Sequence, residues 1–144
     1  MCTLRNVNFV CIPLDCGDDG SVYFEHTGKC YKFYNQLKLS WLDARWNCKE
    51  LGRNGDLASI TDDVTAKFIK ETFNFTGGPG DGVWFGGRAK SGKGYWKWAD
   101  ESKWLHQTWQ DGQPNEVGEA GAYFYGDNWY DGPITTTLFS LCQY

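Results

Sequence analysis

The sequence predicts a disulfide-stapled α+β domain, in which two helices come early, short antiparallel strands come late, and a long loop region lies among the strands. Three observations lead to this prediction. The 144 residues suffice for one domain with one hydrophobic core. Six cysteines stand at wide spacings without a C-x-x-C pair, which indicates disulfides rather than a zinc or redox site. Aromatic residues make up 17% of the chain, so most of them must belong to the core.

The first predicted element is a short aromatic strand over residues 31–34. A helix follows, with Ser40 as its N-cap and Asp43 three residues on, as in a capping box. Gly52 is predicted to end this helix in the left-handed conformation. The residues that share one helical face are Trp41, Ala44, Cys48 and Leu51. Cys48 should therefore face the core, where a disulfide can hold the helix.

A second helix is predicted over residues 62–73. Thr61 is its expected N-cap, and Asp62 and Asp63 lie in the first turn, where the helix dipole favours negative charge. The apolar side of this helix is expected to consist of Val64, Phe68 and Ile69. Glycines between positions 77 and 82 then interrupt the pattern.

The second half of the chain reads as strands and loop. Residues 83–87 and 95–98 are predicted to be short strands, and residues 138–144 a closing strand that contains Cys142. Residues 99–131 are predicted to be mostly loop, because Asp, Gly, Asn and Gln are scattered through them. A long loop inside a compact domain is usually functional.

Composition excludes several functions. The net charge is −4 without clustered Lys and Arg, which argues against nucleic-acid binding. No apolar run is long enough for a membrane span. Only His26 and His106 are present, and neither G-x-S-x-G nor H-E-x-x-H occurs, so the residues give catalysis little support, with paired carboxylates left open because such pairs have no fixed spacing. The family resemblance given below adds the expectation that the protein is not an enzyme. Residues 1–15 lack the features of a signal peptide, and the even cysteine count indicates an oxidising compartment, so we interpret the chain as the mature form of a secreted protein.

From about residue 16 to residue 144 the chain resembles the C-type lectin-like domain, while residues 1–15 form an N-terminal extension with its own two cysteines. The matching segments, in chain order, are Cys30-Tyr31-Lys32-Phe33, Ser40-Trp41, Ala44, Cys48, Leu57-Ala58-Ser59-Ile60, Val83-Trp84-Phe85-Gly86-Gly87, Trp96-Lys97-Trp98-Ala99-Asp100, Trp109 to Gly112, Gln113-Pro114-Asn115, Trp129-Tyr130-Asp131 and Leu141-Cys142-Gln143. The resemblance implies the C-type lectin-like fold and a core position for most of these tryptophans.

Spacing alone leaves about fifteen disulfide pairings open, and the resemblance chooses among them. It implies the pairs Cys48–Cys142 and Cys16–Cys30, which leaves Cys2 and Cys11 to pair with each other or between two chains. The family's usual second pair, which braces the long loop, is missing. Its positions fall near Ala122 and Ile134, so the loop should be held by packing or by a bound metal.

The resemblance also implies a calcium site. In sugar-binding members, a Glu-Pro-Asn or Gln-Pro-Asp triplet with a cis proline, a following Glu and an Asn-Asp pair bind calcium and two sugar hydroxyls. Gln113 and Asn115 match the triplet and Asp131 matches the last ligand, but Tyr130 replaces the family's Asn. The intermediate Glu is expected to be one of two nearby residues, Glu116 or Glu119. With fewer ligands than the six to eight oxygens that calcium prefers, we expect a dissociation constant of about 0.1–1 mM.

The sugar preference follows from the same triplet. Its Gln resembles galactose-type members and its Asn mannose-type members, and we favour terminal galactose or N-acetylgalactosamine with a mannose-type sugar as the alternative. Galactose sites carry an aromatic ring that stacks on the sugar, for which Tyr130, Tyr123 or Tyr125 are candidates.

A plainer interpretation competes with this one. The triplet is also compatible with an ordinary turn, Asp131 with a turn cap, and both glutamates with surface charges. The second functional hypothesis is therefore a lectin-like domain that has lost its metal and binds protein or another surface. Under either hypothesis, Cys2 and Cys11 could link a homodimer, which would give several binding sites and hence avidity.

Overall fold

A computed structural model describes residues 16, 17, 20–75 and 80–144 in full, and for residues 2–5 and 8–11 the backbone alone. Within these residues the strands are β1 (Cys2–Arg5), β2 (Asn8–Cys11), β3 (Val22–Phe24), β4 (Lys29–Leu39), β5 (Asp56–Leu57), β6 (Val83–Ala89), β7 (Lys97–Trp98), β8 (Ala120–Tyr125), β9 (Asn128–Pro133) and β10 (Leu138–Gln143). The helices are α1 (Trp41–Lys49), after β4, and α2 (Asp63–Phe73), after β5. This arrangement confirms the predicted α+β class with two early helices.

The main sheet has the strand order β3-β4-β10-β6-β8-β9, with β5 added beside β10 and β7 beside β6. All its pairings are antiparallel except that of β10 with β6, which is parallel. Strands β1 and β2 form a separate two-stranded sheet, in which the backbone register places Cys2 opposite Cys11. The side chains of residues 1–15 lie outside the described part of the chain, so the predicted pairing of these two cysteines stays a prediction.

Helix α1 begins as predicted and ends differently. The Ser40 Oγ accepts a hydrogen bond from the Asp43 N–H at 3.2 Å, which confirms the N-cap. The prediction that Gly52 ends the helix is wrong. The last turn instead closes with 3-10-type hydrogen bonds, which span three residues rather than four. They run from the Glu50 N–H to the Asn47 carbonyl and from the Leu51 N–H to the Cys48 carbonyl, and they satisfy the terminal carbonyls without a left-handed residue.

Helix α2 is shifted by one residue at its start. Asp62 is its N-cap instead of Thr61, because the Asp62 side chain accepts the Thr65 N–H at 2.7 Å. Val64 does not belong to the apolar side, since it is 52% exposed. The other two apolar positions are confirmed: Ile69 is buried, and the Phe68 ring stacks on Phe24 with centroids 3.9 Å apart.

Three strand predictions need correction. The strand predicted over residues 31–34 is longer, because β4 pairs with β3 on one side and with β10 on the other. The strand predicted over residues 95–98 is limited to β7. The region 99–131 is not all loop: β8 and β9 pair as a hairpin around Gly126, which has a φ of 61°. Two aromatic runs separated by a Gly-Asp turn are a hairpin signal that the loop prediction overlooked.

Two disulfides connect the described elements, and they are the two that the family resemblance implies. Cys48–Cys142 joins α1 to β10, and Cys16–Cys30 joins the segment before β3 to β4. The family's second disulfide would join the positions of Ala122 and Ile134, and these two residues have other partners here. Ala122 pairs with Asp131 across β8 and β9, and the Ile134 N–H donates to the Glu119 carbonyl.

The remaining loop, residues 99–119, is held by aromatic packing. The Trp104 ring stacks on buried Trp98 at 4.3 Å, and Trp109 contacts Trp96 at 4.8 Å and buried Trp129 at 5.7 Å. Indole rings each bury a large apolar area, so the tryptophans of the loop extend the hydrophobic core. Neither helix in the described part of the chain combines the length and the apolar character that a membrane crossing requires.

The two disulfides should differ in their effect on stability because they close loops of different length. Their cysteines are 94 and 14 residues apart. Replacing both cysteines of Cys48–Cys142 by Ala should lower the free energy of unfolding by about 4–5 kcal/mol, and replacing both of Cys16–Cys30 by about 3 kcal/mol. Urea unfolding of the two double variants measures this difference, and equal losses would contradict the loop-length explanation.

The cap of α2 should make stability depend on pH. Burial would raise the pKa of Asp62, but hydrogen bonds from His26 and Thr65 outweigh it and lower the pKa to about 2 from an ordinary value of 3.8. The unfolded chain then binds more protons than the folded protein between these values, so stability should fall as the pH drops from about 4 to 2. In acid unfolding monitored by circular dichroism, Asp62→Asn should flatten this fall while retaining a good N-cap residue. The exposed control Asp111→Asn should leave it unchanged.

Candidate functional site

The candidate site is built on the loop that contains Gln113-Pro114-Asn115. A turn precedes it, in which the Gln113 N–H donates to the Gln110 carbonyl at 2.9 Å and Gly112 adopts a φ of 83°. The Gln113–Pro114 peptide bond is cis, as the family resemblance implies. The loop then runs past Glu116 into β8, beside β9.

Asp131 on β9 fastens this loop to the sheet. Its carboxylate is buried, with Oδ1 accepting the Asn115 N–H at 2.8 Å and Oδ2 accepting the Glu116 N–H at 2.9 Å. In return, the Asp131 N–H points at the Gln113 Oε1 at 3.5 Å. Asp131 thus holds the loop through the backbone of Asn115 and Glu116 at its carboxylate and through the Gln113 side chain at its N–H. Each carboxylate oxygen keeps a lone pair beyond the amide hydrogen bond that it accepts.

The two candidate glutamates lie in different surroundings. The half-buried Glu116 stays within the loop, and its Oε1 accepts the N–H groups of Val117 at 3.1 Å and Gly118 at 3.4 Å. Glu119 instead forms an ion pair with Arg88 of β6. The structure therefore brings Glu116 to the site and leaves Glu119 on a neighbouring surface.

Three tyrosines border a cavity of about 470 Å³ next to Asp131 and Glu116. Tyr123 and Tyr130 face each other across β8 and β9 with their rings stacked at 5.8 Å, and Tyr125 meets Tyr130 edge-on at 5.9 Å. Burial raises the pKa of the Tyr123 hydroxyl above its usual range, and Tyr130 adds to this effect. The Tyr123 hydroxyl therefore stays protonated and can donate a hydrogen bond.

Gly92 is a part of the site that the sequence analysis did not single out. A Cβ at position 92 would collide with the Asp131 carboxylate and would lie 2.6 Å from the Glu116 carbonyl oxygen. The turn that contains Gly92 therefore packs directly on the loop, and the Trp96 indole N–H fixes it by donating to the Gly92 carbonyl at 3.0 Å. The only sequence signal was the repeated glycine in Ser91-Gly92-Lys93-Gly94.

All four candidate ligand side chains carry oxygen atoms, the donor type that a hard cation prefers. Among the described residues, no three side chains of His, Cys, Asp or Glu come close enough to hold a metal ion. A cation would therefore depend on two carboxylates, Glu116 and Asp131, and on the amide oxygens of Gln113 and Asn115. Oxygen donors of this mixed kind are those that calcium takes in proteins.

Comparison with known proteins gives the family. Residues 37–144 match the family model described as the lectin C-type domain. The chain belongs to the C-type lectin family. It is 36% identical over 132 residues to C-type lectin lectoxin-Lio3 from Erythrolamprus poecilogyrus, covering 85% of this chain and 79% of that one. It is 36% identical over 95 residues to C-type lectin lectoxin-Phi2 from Philodryas olfersii, where it spans 60% of the relative's length.

Two further proteins are similar to this chain, one by sequence and one by structure. It is 37% identical over 100 residues to a chain of the snaclec coagulation factor IX/factor X-binding protein of Echis carinatus, covering 63% of this chain and 72% of the relative. The carbohydrate-recognition domain of cow CD23, solved in the presence of a GlcNAc2Man3 oligosaccharide, superposes with a TM-score of 0.73 at 27% identity, covering 88% of this chain and 94% of that chain. The family and fold are a non-enzymatic class and the relatives are named lectins, so this lectin-like protein is not an enzyme.

The contact of Gly92 with Asp131 predicts that a larger residue at position 92 weakens the hydrogen bonds between Asp131 and the Asn115–Glu116 backbone. Gly92→Ala should push the Asp131 carboxylate aside and cost about 1–3 kcal/mol of stability through overpacking. Amide hydrogen exchange at Asn115 and Glu116 should become faster, because these N–H groups lose their acceptor. Gly118→Ala is the matched control, since its new methyl group would meet only the Glu116 Oε1 at 3.9 Å. Unchanged exchange at both amides in Gly92→Ala would contradict this account.

Proposed function

We propose that the protein is a calcium-dependent, carbohydrate-binding lectin of the extracellular space. The observation that carries the proposal is Asp131, whose buried carboxylate accepts the N–H groups of Asn115 and Glu116 and whose own N–H donates to the Gln113 Oε1. The loop is therefore held in place before any ligand arrives, and preorganised donors lose less entropy when they bind.

Four side chains of this lectin would hold the calcium ion: Gln113, Asn115, Glu116 and Asp131. Two carboxylates balance the charge of the ion and two amides add neutral oxygens, with water completing the set. When bound, calcium would supply a positive centre that coordinates two neighbouring sugar hydroxyl oxygens. Tyr130 stands where the family has a further amide ligand, which is the reason to expect weak, extracellular-type affinity.

The tyrosine-lined cavity beside this loop supports a galactose-type sugar. Tyr130 and Tyr123 border the cavity together with the two acidic ligands, so a sugar held at the calcium site would meet an aromatic ring. The apolar face of galactose or N-acetylgalactosamine suits such stacking. A mannose-type sugar is the alternative, supported by Asn115 and by the oligosaccharide named for the cow CD23 structure.

A second candidate function is protein binding without a working calcium site. The specific observation in its favour is Tyr130, whose ring packs on Tyr123 and Tyr125 where an amide ligand is expected. The relative from Echis carinatus is named for binding coagulation factors, so a protein partner has a precedent among the relatives.

We further propose that residues 16–144 form the lectin domain and residues 1–15 a small extension stapled by Cys2 and Cys11. The backbone register of β1 and β2 places these two positions opposite each other, which supports a disulfide within the chain. A homodimer linked through the same cysteines is the alternative. Secretion is supported by the two disulfides of the described domain.

A calcium titration by calorimetry, alone and with galactose or mannose present, tests the lectin proposal. We expect calcium to bind with a dissociation constant of about 0.1–1 mM, and galactose to give a second signal that disappears with a chelator. Glu116→Gln should weaken calcium binding by about tenfold, because one ligand loses its charge. Glu119→Gln is the matched control and should have no effect, since Glu119 faces Arg88.

The outcome of the same titration also decides between the two functions. An absence of heat at millimolar calcium would overturn the lectin proposal and favour the protein-binding alternative. Equal weakening by Glu116→Gln and Glu119→Gln would show that the ligand set is wrong.

A further inference from the structure

A second concavity of the described residues lies outside the candidate calcium site. It is a groove of about 810 Å³ between α1, the end of β6, the turn after it and β7. We call it the cationic groove and define it by Trp41, Arg88, Lys90, Tyr95, Lys97 and Trp98. No residue of the proposed calcium ligand set lines it.

The groove is positively charged on a protein whose net charge is −4. Its walls also include Arg45, Glu101 and Glu119, which makes four cations and two anions. Arg45 is committed to the fold, because its guanidinium binds Asp56 through two hydrogen bonds of 3.0 and 3.2 Å. Within the described residues, Lys90 and Lys97 make no ion pair, so their ammonium groups are open to a ligand.

The strand register places like charges together in this groove. Arg88 of β6 and Lys97 of β7 are direct partners across the antiparallel pair, and like charges in such positions destabilise a sheet. Glu119 compensates Arg88 through its ion pair, and Arg88 also lies over the Trp41 ring at 5.2 Å. Lys97 has no such compensation within the described residues. An anion in the groove would relieve the repulsion.

An exposed aromatic ring indicates a sugar rather than a small inorganic anion. Trp41 and Trp98 border the groove but are buried, whereas Tyr95 lies at its rim with 94% of its surface exposed. In the described part of the chain the Tyr95 ring stacks on no other ring. An exposed tyrosine offers a flat face to the apolar side of a pyranose, while the neighbouring lysines match acidic substituents.

The groove and the calcium site share a wall. Ser91, Gly94 and Tyr95 line the groove, while Gly92 between them packs on Asp131 and Glu116. A glycan chain held at the calcium site would therefore extend past this turn toward Lys90 and Lys97. This position beside the proposed calcium site favours a glycan over an acidic peptide.

We propose that the cationic groove is a second subsite that binds the acidic groups of a sulfated or uronic-acid-containing glycan through Lys90 and Lys97, with Tyr95 stacking on the sugar ring. This subsite deepens the proposed lectin function and rests on it for the identity of the ligand as a glycan. It needs no calcium, since its contacts are ammonium groups and an aromatic ring.

Calorimetry with a heparin-derived hexasaccharide in the presence of a chelator tests the subsite. Lys90→Gln with Lys97→Gln should weaken binding at least about tenfold, the factor expected when two direct charge contacts are lost. The matched control, Lys67→Gln with Lys70→Gln, removes the same charge from α2, where these lysines pair with Glu71 and Asp127, and should change binding less than about twofold. Tyr95→Ala should weaken binding and Tyr95→Phe should preserve it.

Several results would overturn the proposal. Equal weakening by the two double variants would mean that binding depends only on the net charge of the protein. Tight binding of neutral chitohexaose would mean that the acidic groups of the glycan are not recognised. A polyglutamate peptide of matched charge that binds as tightly as the hexasaccharide would assign the groove to acidic peptides. Heparin oligosaccharides with and without sulfate identify which acidic group is recognised.

The two proposals fail in distinguishable ways. Hexasaccharide binding in chelator without any calcium-dependent galactose signal would remove the calcium site and keep the groove as an anion site. Galactose binding with calcium but no hexasaccharide binding would remove the groove and keep the lectin. Glu116→Gln should affect only the galactose signal.

Discussion

The fold depends on where the C-terminal strand is held. Strand β10 pairs with β4, β5 and β6, and its Cys142 is disulfide-bonded to α1. The side chain of Gln143 extends this role, since its Oε1 accepts the Ser59 N–H at 2.8 Å and its Nε2 donates to Asp100 at 2.8 Å. Strand β10 therefore links the helix, the sheet and the start of the long loop.

The turn around Asp100 shows how the fold keeps a charge inside this junction. Burial would raise the pKa of Asp100, but hydrogen bonds from Ser59, Ser102 and Gln143 outweigh it and lower the pKa. Lys29 adds a positive charge 3.5 Å away. A half-buried carboxylate is tolerated when donors satisfy it in this way, and these hydrogen bonds fix the start of the loop that leads to the candidate site.

Two different forces position the long loop that lacks its family's usual brace. Apolar packing of Trp104 and Trp109 holds its first half against Trp98 and Trp129, and the buried Asp131 carboxylate holds its second half through backbone amides. The first force is insensitive to direction, whereas the second requires close backbone placement. The candidate ligands Gln113, Asn115 and Glu116 lie in the second half, and the turn at Gly92 packs between that half and the cationic groove.

The sequence by itself determined the fold class, both helices and the likeness to a known family, because helix caps, apolar periodicity and cysteine positions are local features that packing reinforces. It also identified Gln113, Asn115 and Asp131 as candidate ligands through that likeness. Only the tertiary structure separated Glu116 from Glu119, three residues apart, since Arg88 on another strand attracts one of them. Two further contacts were also visible only in the tertiary structure: the packing of Gly92 against Asp131, and the position of Arg88 opposite Lys97. Such contacts are set by strand register and loop packing between residues distant in the chain, and no local pattern of side chains encodes them.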